Sequence, residues 1–283
     1  MLTSGEKGII YLLNNNKNDM SKLRLVKLMF LVSKRIPLYY FVPYKYGPFS
    51  FQLYHDLSHL QRECLVSIDD DSVHLLTTEL PSLDLKIKNI VRMNSERFSA
   101  LDDKMLLDYI YEEHPEFTIF SQYKKKMEYD RNSSGIVTIG YEGKTIDKFL
   151  YELIKNKIGI VADVRRNAYS MKFGFQRNKL KSYLEKIGID YIHMPELGIP
   201  SDSRKNLNSY EDYQALFAGY GQEIETKMDY LERIKSISQN KKVSLMCFEK
   251  DVKYCHRGVI AERLREGWCI YYRFEFLDPD YGM

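Results

Sequence analysis

Cys247, Glu249, Cys255, His256 and Arg257 all fall inside one run, "SLMCFEKDVKYCHRGVIAERL", from Ser244 to Leu264. A thiol, a carboxylate, an imidazole and a guanidinium are the groups that nucleophilic, acid–base and anion-binding chemistry require. The run begins apolar as far as Cys247 and Phe248, passes through a charged loop and resumes as a helix opening on Cys255-His256-Arg257. Two residues apart on a strand, Cys247 and Glu249 share a face. At a helix N-terminus, Cys255 meets free N–H groups and the positive end of the dipole, which favour thiolate, and His256 is the natural proton carrier beside it. Arg257, with Arg165 and Arg166 of "DVRR", offers forked donors for a phosphate. Structural readings of the same residues stand beside these. Cys255 is also a typical buried thiol, His256 a typical helix cap, and Arg257 with Asp163 a typical helix–strand ion pair. Cys247, Cys255 and His256 are three metal-ligand types, but their spacing fits no common zinc pattern and lacks a fourth ligand. No metal and no cofactor are expected.

These residues need elements to bring them together. From Ile136 onward, strand-like and helix-like stretches alternate. The strands are Ile136–Gly140, Ile158–Val164, Asp190–Met194, Val243–Phe248 and Trp268–Phe276. The helices are Thr145–Lys155, Asn178–Ile187 closed by Gly188, two across Ser209–Ser238, and Arg257–Glu266. That alternation predicts an α/β domain with a mostly parallel sheet, whose ligands gather at the carboxyl ends of the strands. The segments at those ends are Tyr141-Glu142, Asp163 through Asn167, Pro195-Glu196, and Cys247 through Arg257. Asp163, Glu142, Glu196 and Glu249 are therefore the acid–base candidates alongside Cys255 and His256. Tyr141, Tyr169 and Phe173 are interleaved with Lys172 and Arg177 and are candidates for stacking on bases.

Residues 1–127 read differently: mainly α and winged-helix-like, three helices followed by a small β-hairpin at "LVSIDDDSVHLL", then two or more helices. Ser21 and Ser50 stand where N-caps belong, Pro37 ends the second helix, and Gly47-Pro48 forms a turn. A polar linker at 128–134 separates this region from an α/β domain at 135–283. The net charge of the 283 residues is only +3, too small to announce a nucleic-acid binder. Its distribution says more: residues 1–62 hold nine Lys/Arg against three Asp/Glu, and residues 63–123 hold five against thirteen. A basic face of that size can meet phosphates. Four scattered cysteines, no apolar run near the ~20 residues that span a bilayer, and a poor signal peptide predict a cytoplasmic protein without a membrane partner.

Two resemblances add to this reading. "TIGYEGKTIDKFL", "IVADVRRNAYSMKFGF", "YIHMPELG" and "LMCFEKDVKYCHRGVIAERL" resemble, in that order, the motifs of the family called domain of unknown function 488. The resemblance implies a bacterial or archaeal α/β domain and assigns no reaction. "KLRLVKLMFLVSK" and "YKYGPFSFQLYHDLSHLQRECLV" resemble the Panacea-type, antitoxin-associated domains, which implies a helical module beside a protein partner or an effector. The expected function is processing of nucleic acid or a nucleotide, by hydrolysis of an N-glycosidic or phosphodiester bond in DNA metabolism or defence. Two alternatives stay open: a non-catalytic, antitoxin-like module sensing a phosphorylated ligand, and cysteine-based thiol chemistry.

Overall fold

The computed structural model describes residues 1–205 and 207–266. The last expected strand, Trp268–Phe276, lies outside them. The chain divides into two compact units, Met1–Tyr129 with Ile146–Tyr151, and Asp130–Thr145 with Glu152 onward.

The first unit begins with α1 (Ser4–Asn14), β1 (Asp19–Ser21) and α2 (Lys22–Ser33). It continues through β2 (Val42–Tyr44), β3 (Gly47–Phe49), α3 (Phe51–Arg62), β4 (Val66–Ile68), β5 (Ser72–Leu75), α4 (Leu85–Arg97) and α5 (Asp103–Glu113). Caps set the helix starts: Thr3 closes a capping box with Glu6, and Ser21 Oγ accepts from Arg24 N at 3.0 Å. Every residue of α2 from Leu25 to Val32 is buried, so α2 is the central helix of this core. The expected hairpin is β4–β5, and β1 adds a third antiparallel strand to give the order β1-β5-β4. Three residues are too few for period-two alternation to reveal, so β1 is invisible to pattern reading. Gly47 turns β2 into β3 with φ +80°, and a Cβ there would lie 2.6 Å from the Tyr111 ring. Two of the buried charged residues of this unit, Lys27 and Asp147, are strongly shifted by burial. Lys27 Nζ donates to the Pro48 carbonyl at 2.9 Å, and burial pushes its pKa down to about 7. Asp147 accepts from Ser50 Oγ (2.9 Å), Phe51 N (2.7 Å) and Gln52 N (2.9 Å), at the N-terminus of α3. Burial still pushes the Asp147 carboxyl up to about 7.

The second unit carries β6 (Ile136–Gly140), most of the remaining α/β elements and the sheet of interest. They are α6 (Ile146–Lys155, shared between the two units), β7 (Ile160–Asp163), α7 (Arg177–Lys186), β8 (Asp190–His193), α8 (Tyr210–Glu223), α9 (Met228–Ser238), β9 (Val243–Cys247) and α10 (Arg257–Glu266). All pairings are parallel, in the order β6-β9-β7-β8. Strands β6, β7 and β9 are buried along their whole length, as their continuous apolar runs require. The last of the four in sequence, β9, inserts between β6 and β7, so its carboxyl end is flanked by theirs. No helix among the described residues is long and apolar enough to cross a membrane.

Candidate functional site

Strand β9 ends at Cys247, and the chain must then cross the end of β6. Gly140, paired with Cys247, makes that possible: a Cβ on it would lie 1.8 Å from the Glu249 carbonyl oxygen. The Arg257 guanidinium holds the crossing loop from below, donating from Nη1 to the Glu249 carbonyl (2.6 Å) and from Nη2 to the Lys250 carbonyl (2.9 Å). Asp251 then caps a short 3₁₀ turn, Val252–Tyr254, by accepting from Lys253 N at 2.9 Å. The turn returns Cys255 and His256 to the point where β9 ended.

Cys247 Sγ, Cys255 Sγ and a His256 ring nitrogen thereby lie within 4.8 Å of one another, on residues 2%, 1% and 0% exposed. His256 Nδ1 is 3.9 Å from Cys247 Sγ and 3.8 Å from Cys255 Sγ. Its Nε2 sits 2.9 Å from the Val164 carbonyl, which can only accept, so Nε2 carries the hydrogen and Nδ1 presents the lone pair. The Tyr220 ring meets the imidazole edge-on at 5.7 Å, and its hydroxyl is anchored on the Leu197 carbonyl at 2.6 Å. Arg204 bridges the centre to Glu249: Nη2 donates to His256 Nδ1 and Nη1 to Glu249 Oε1, each at 2.8 Å. Glu249 Oε2 is buried and has no hydrogen-bond partner. Burial pushes the Glu249 carboxyl up, but the Cys255 thiol, the loop backbone and Arg204 outweigh it and hold the group below the usual range. A hydrogen bond from Cys255 holds the Cys247 thiol down, and burial with the Cys247 hydrogen bond pushes the Cys255 thiol up.

Arg204 is the residue that sequence reading missed. It ends a 3₁₀ turn, Ser201–Arg204, in a polar loop where a lone arginine reads as a solvated charge. The sequence names Cys247, Cys255 and His256 as three metal-ligand types, but their spacing sets a metal aside, because a fold-specific return loop joins them in place of one of the short spacings typical of zinc sites.

The other expected site residues are placed differently. Asp163 is fully buried and takes four donors: Arg165 Nε (2.8 Å), Arg165 Nη2 (2.6 Å), Arg165 N (3.2 Å) and the Tyr191 hydroxyl (2.7 Å). Arg165 Nη1 binds the Tyr141 hydroxyl at 2.9 Å and the Phe175 carbonyl at 3.1 Å. Tyr141 in turn stacks on Phe175 at 4.2 Å between ring centres. Asp163, Arg165 and Tyr141, expected as an acid–base group, a phosphate ligand and a stacking face, form one buried network. Arg257, expected as a phosphate ligand, is 2% exposed and bound to two loop carbonyls, and among the described residues Asp163 pairs with Arg165 and not with Arg257. Glu142 is exposed and accepts from Lys250 N at 2.8 Å; Glu196 is half-buried in the 3₁₀ turn Pro195–Leu197. Arg166 is exposed, two residues beyond the carbonyl that orients His256, and reaches the Pro195 carbonyl at 3.3 Å. Tyr169 is 60% exposed, while Phe173 is half-buried with its ring 6.2 Å from Tyr183.

No curated protein and no solved structure matches the chain. Residues 145–264, which run from the start of α6 through the Cys247–Cys255–His256 centre to the end of α10, match the family model described as Domain of unknown function DUF488.

Proposed function

We propose that the second unit is a hydrolase that cleaves a phosphodiester in a substrate of the nucleic-acid or nucleotide class, at the carboxyl edge of its sheet. The observation that carries this reading is the Glu249 carboxylate, with Oε1 fixed by Arg204 and Oε2 buried without a hydrogen-bond partner. A carboxylate whose side chain is 20% exposed, held on one oxygen and unpartnered on the other, is oriented as a general base. In the step, Oε2 takes a proton from water, the water oxygen bonds to phosphorus, and the bond to the leaving oxygen breaks. The leaving oxygen then takes the proton back from Glu249. Arg204, whose side chain is 30% exposed, is positioned to offset charge on the phosphoryl oxygens. Exposed Arg166 and Arg177 add positive field, and exposed Tyr169 offers a stacking face. An N-glycosidic bond is the less favoured target, because its hydrolysis calls on paired carboxylates and both Asp163 and Glu142 already have partners.

The first unit we read as winged-helix-like and as the part that positions DNA or a protein partner. Its element order of α1, β1, α2, the β2–β3 pair, α3, β4 and β5, the sheet order β1-β5-β4 and the basic balance of residues 1–62 support this.

Labelled DNA and RNA oligonucleotides at low salt test the hydrolase. Cleavage is expected, falling by about 10²-fold or more in Glu249→Gln and unchanged in Glu142→Gln. Binding without cleavage would return the protein to the sensor class, and neither binding nor cleavage would overturn the proposal. Salt has to be held low because phosphate contacts weaken steeply with it.

A further inference from the structure

We infer that Cys247 Sγ, Cys255 Sγ and His256 Nδ1 are the three protein ligands of a single Zn²⁺ ion, with its fourth position on the Glu249 side. The inference deepens the hydrolase reading, since a zinc-bound water there would lie beside the proposed base, but the ligand set stands without it.

Geometry is the first argument. Tetrahedral zinc with Zn–S near 2.3 Å and Zn–N near 2.0 Å sets its sulfur and nitrogen donors roughly 3.6 Å apart. The two Sγ–Nδ1 separations are 3.9 and 3.8 Å, and all three donor atoms lie within 4.8 Å of one another. A small contraction brings them to bonding distance.

The second argument is orientation. A zinc-bound imidazole normally donates its other N–H to a carbonyl or carboxylate, which fixes the tautomer and turns the lone pair to the metal. His256 does this with the Val164 carbonyl at 2.9 Å, and the freed Nδ1 faces both sulfurs.

Charge and burial supply the third. Two thiolates beside a neutral imidazole balance Zn²⁺ and leave no net charge in a buried site. Two sulfurs also favour zinc over magnesium, calcium or manganese. Arg204 shows where a cation is drawn: its guanidinium sits on His256 Nδ1 and Glu249 Oε1 together. Zinc entry takes both sulfurs as thiolates and displaces Nη2 from Nδ1, while Nη1 keeps Glu249 Oε1.

The test uses the full chain, refolded or purified under reducing conditions with Zn²⁺ and then freed of loose ion. Elemental analysis is expected to find about one zinc per chain, falling to near none in Cys247→Ser and Cys255→Ser. Because a serine variant can fail to fold, the wild-type chain loaded with Co²⁺ gives a second reading: thiolate-to-cobalt charge-transfer absorption in the near ultraviolet. Wild-type metal content no higher than that of Cys247→Ser, or a cobalt spectrum without that absorption, would overturn the inference. Zinc bound by a chain that cuts no oligonucleotide removes the hydrolase and keeps the site. Cleavage that persists in metal-free protein under chelator keeps Glu249 and removes zinc from the reaction, while metal content and the cobalt spectrum decide the ligand set.

Discussion

Two Arg–carboxylate pairs in the second unit show how placement decides a residue's job. Arg165 and Asp163 are both buried and bind each other through two parallel hydrogen bonds, with Tyr191 and Tyr141 completing the network. Arg204 and Glu249 are partly exposed, make one hydrogen bond, and leave one carboxylate oxygen without a hydrogen-bond partner. The first pair is a closed buried network, and the second is the pair on which the proposed hydrolysis rests. Asp163→Asn leaves the Arg165 charge buried with a weakened partner and is expected to destabilise the second unit by about 3–5 kcal/mol. Glu142→Gln, at an exposed site, should stay within about 0.5 kcal/mol. Urea unfolding of both variants checks the contrast. Arg204→Gln removes the cation that competes for His256 Nδ1, so it is expected to bind zinc more tightly in a chelator competition while losing phosphodiester cleavage.

At the scale of elements, the site depends on how β9 is inserted and how its loop comes back. The loop passes over Gly140 and is pinned by Arg257, a residue whose type reads as a ligand binder but whose guanidinium meets only backbone carbonyls and has a buried Nε without a partner. Gly140→Ala would set a Cβ 1.8 Å from the Glu249 carbonyl. Overpacking of that kind costs about 1–3 kcal/mol, and it displaces Glu249 together with Cys255 and His256. The expected outcome is a folded chain, by circular dichroism, that has lost both zinc and cleavage. Most element positions were legible in the sequence. Ser21 and Ser50 cap the helices they precede, Gly188 with φ +69° follows α7, and the apolar runs at Ile136 and Val243 are buried strands. The β1 strand and the 3₁₀ turn carrying Arg204 were not, because neither is long enough to show a period.

For the molecule as a whole, stability against pH carries the mark of two buried charges in the first unit. The Lys27 pKa is about 7 when folded and near 10.4 unfolded, so the unfolded chain binds the extra proton between those values. Stability from this group is present above the unfolded value and is lost as pH falls to about 7. Asp147 works in the opposite sense. Its folded value of about 7 lies above the unfolded one of about 3.9, so its contribution is present at acid pH and lost as pH rises to 7. Together the two groups place a minimum of their summed contribution near pH 7, with slopes of at most about 1.4 kcal/mol per pH unit on either side. Thermal melts from pH 4 to 10 test this: Lys27→Met should flatten the alkaline arm and Asp147→Asn the acid arm, and unchanged arms would refute the assignment. From sequence alone, local periodicity and turn chemistry determined the alternating strands and helices of the second half, and parallel-sheet topology determined that the unusual residues would gather at one edge. Only the tertiary structure decided which of them are free to act. Residue type states what a group can do, but whether Asp163, Arg165 and Arg257 face a substrate or the interior, and whether Cys247, Cys255 and His256 meet, depends on loop paths and partners far apart in the chain, which no local pattern encodes.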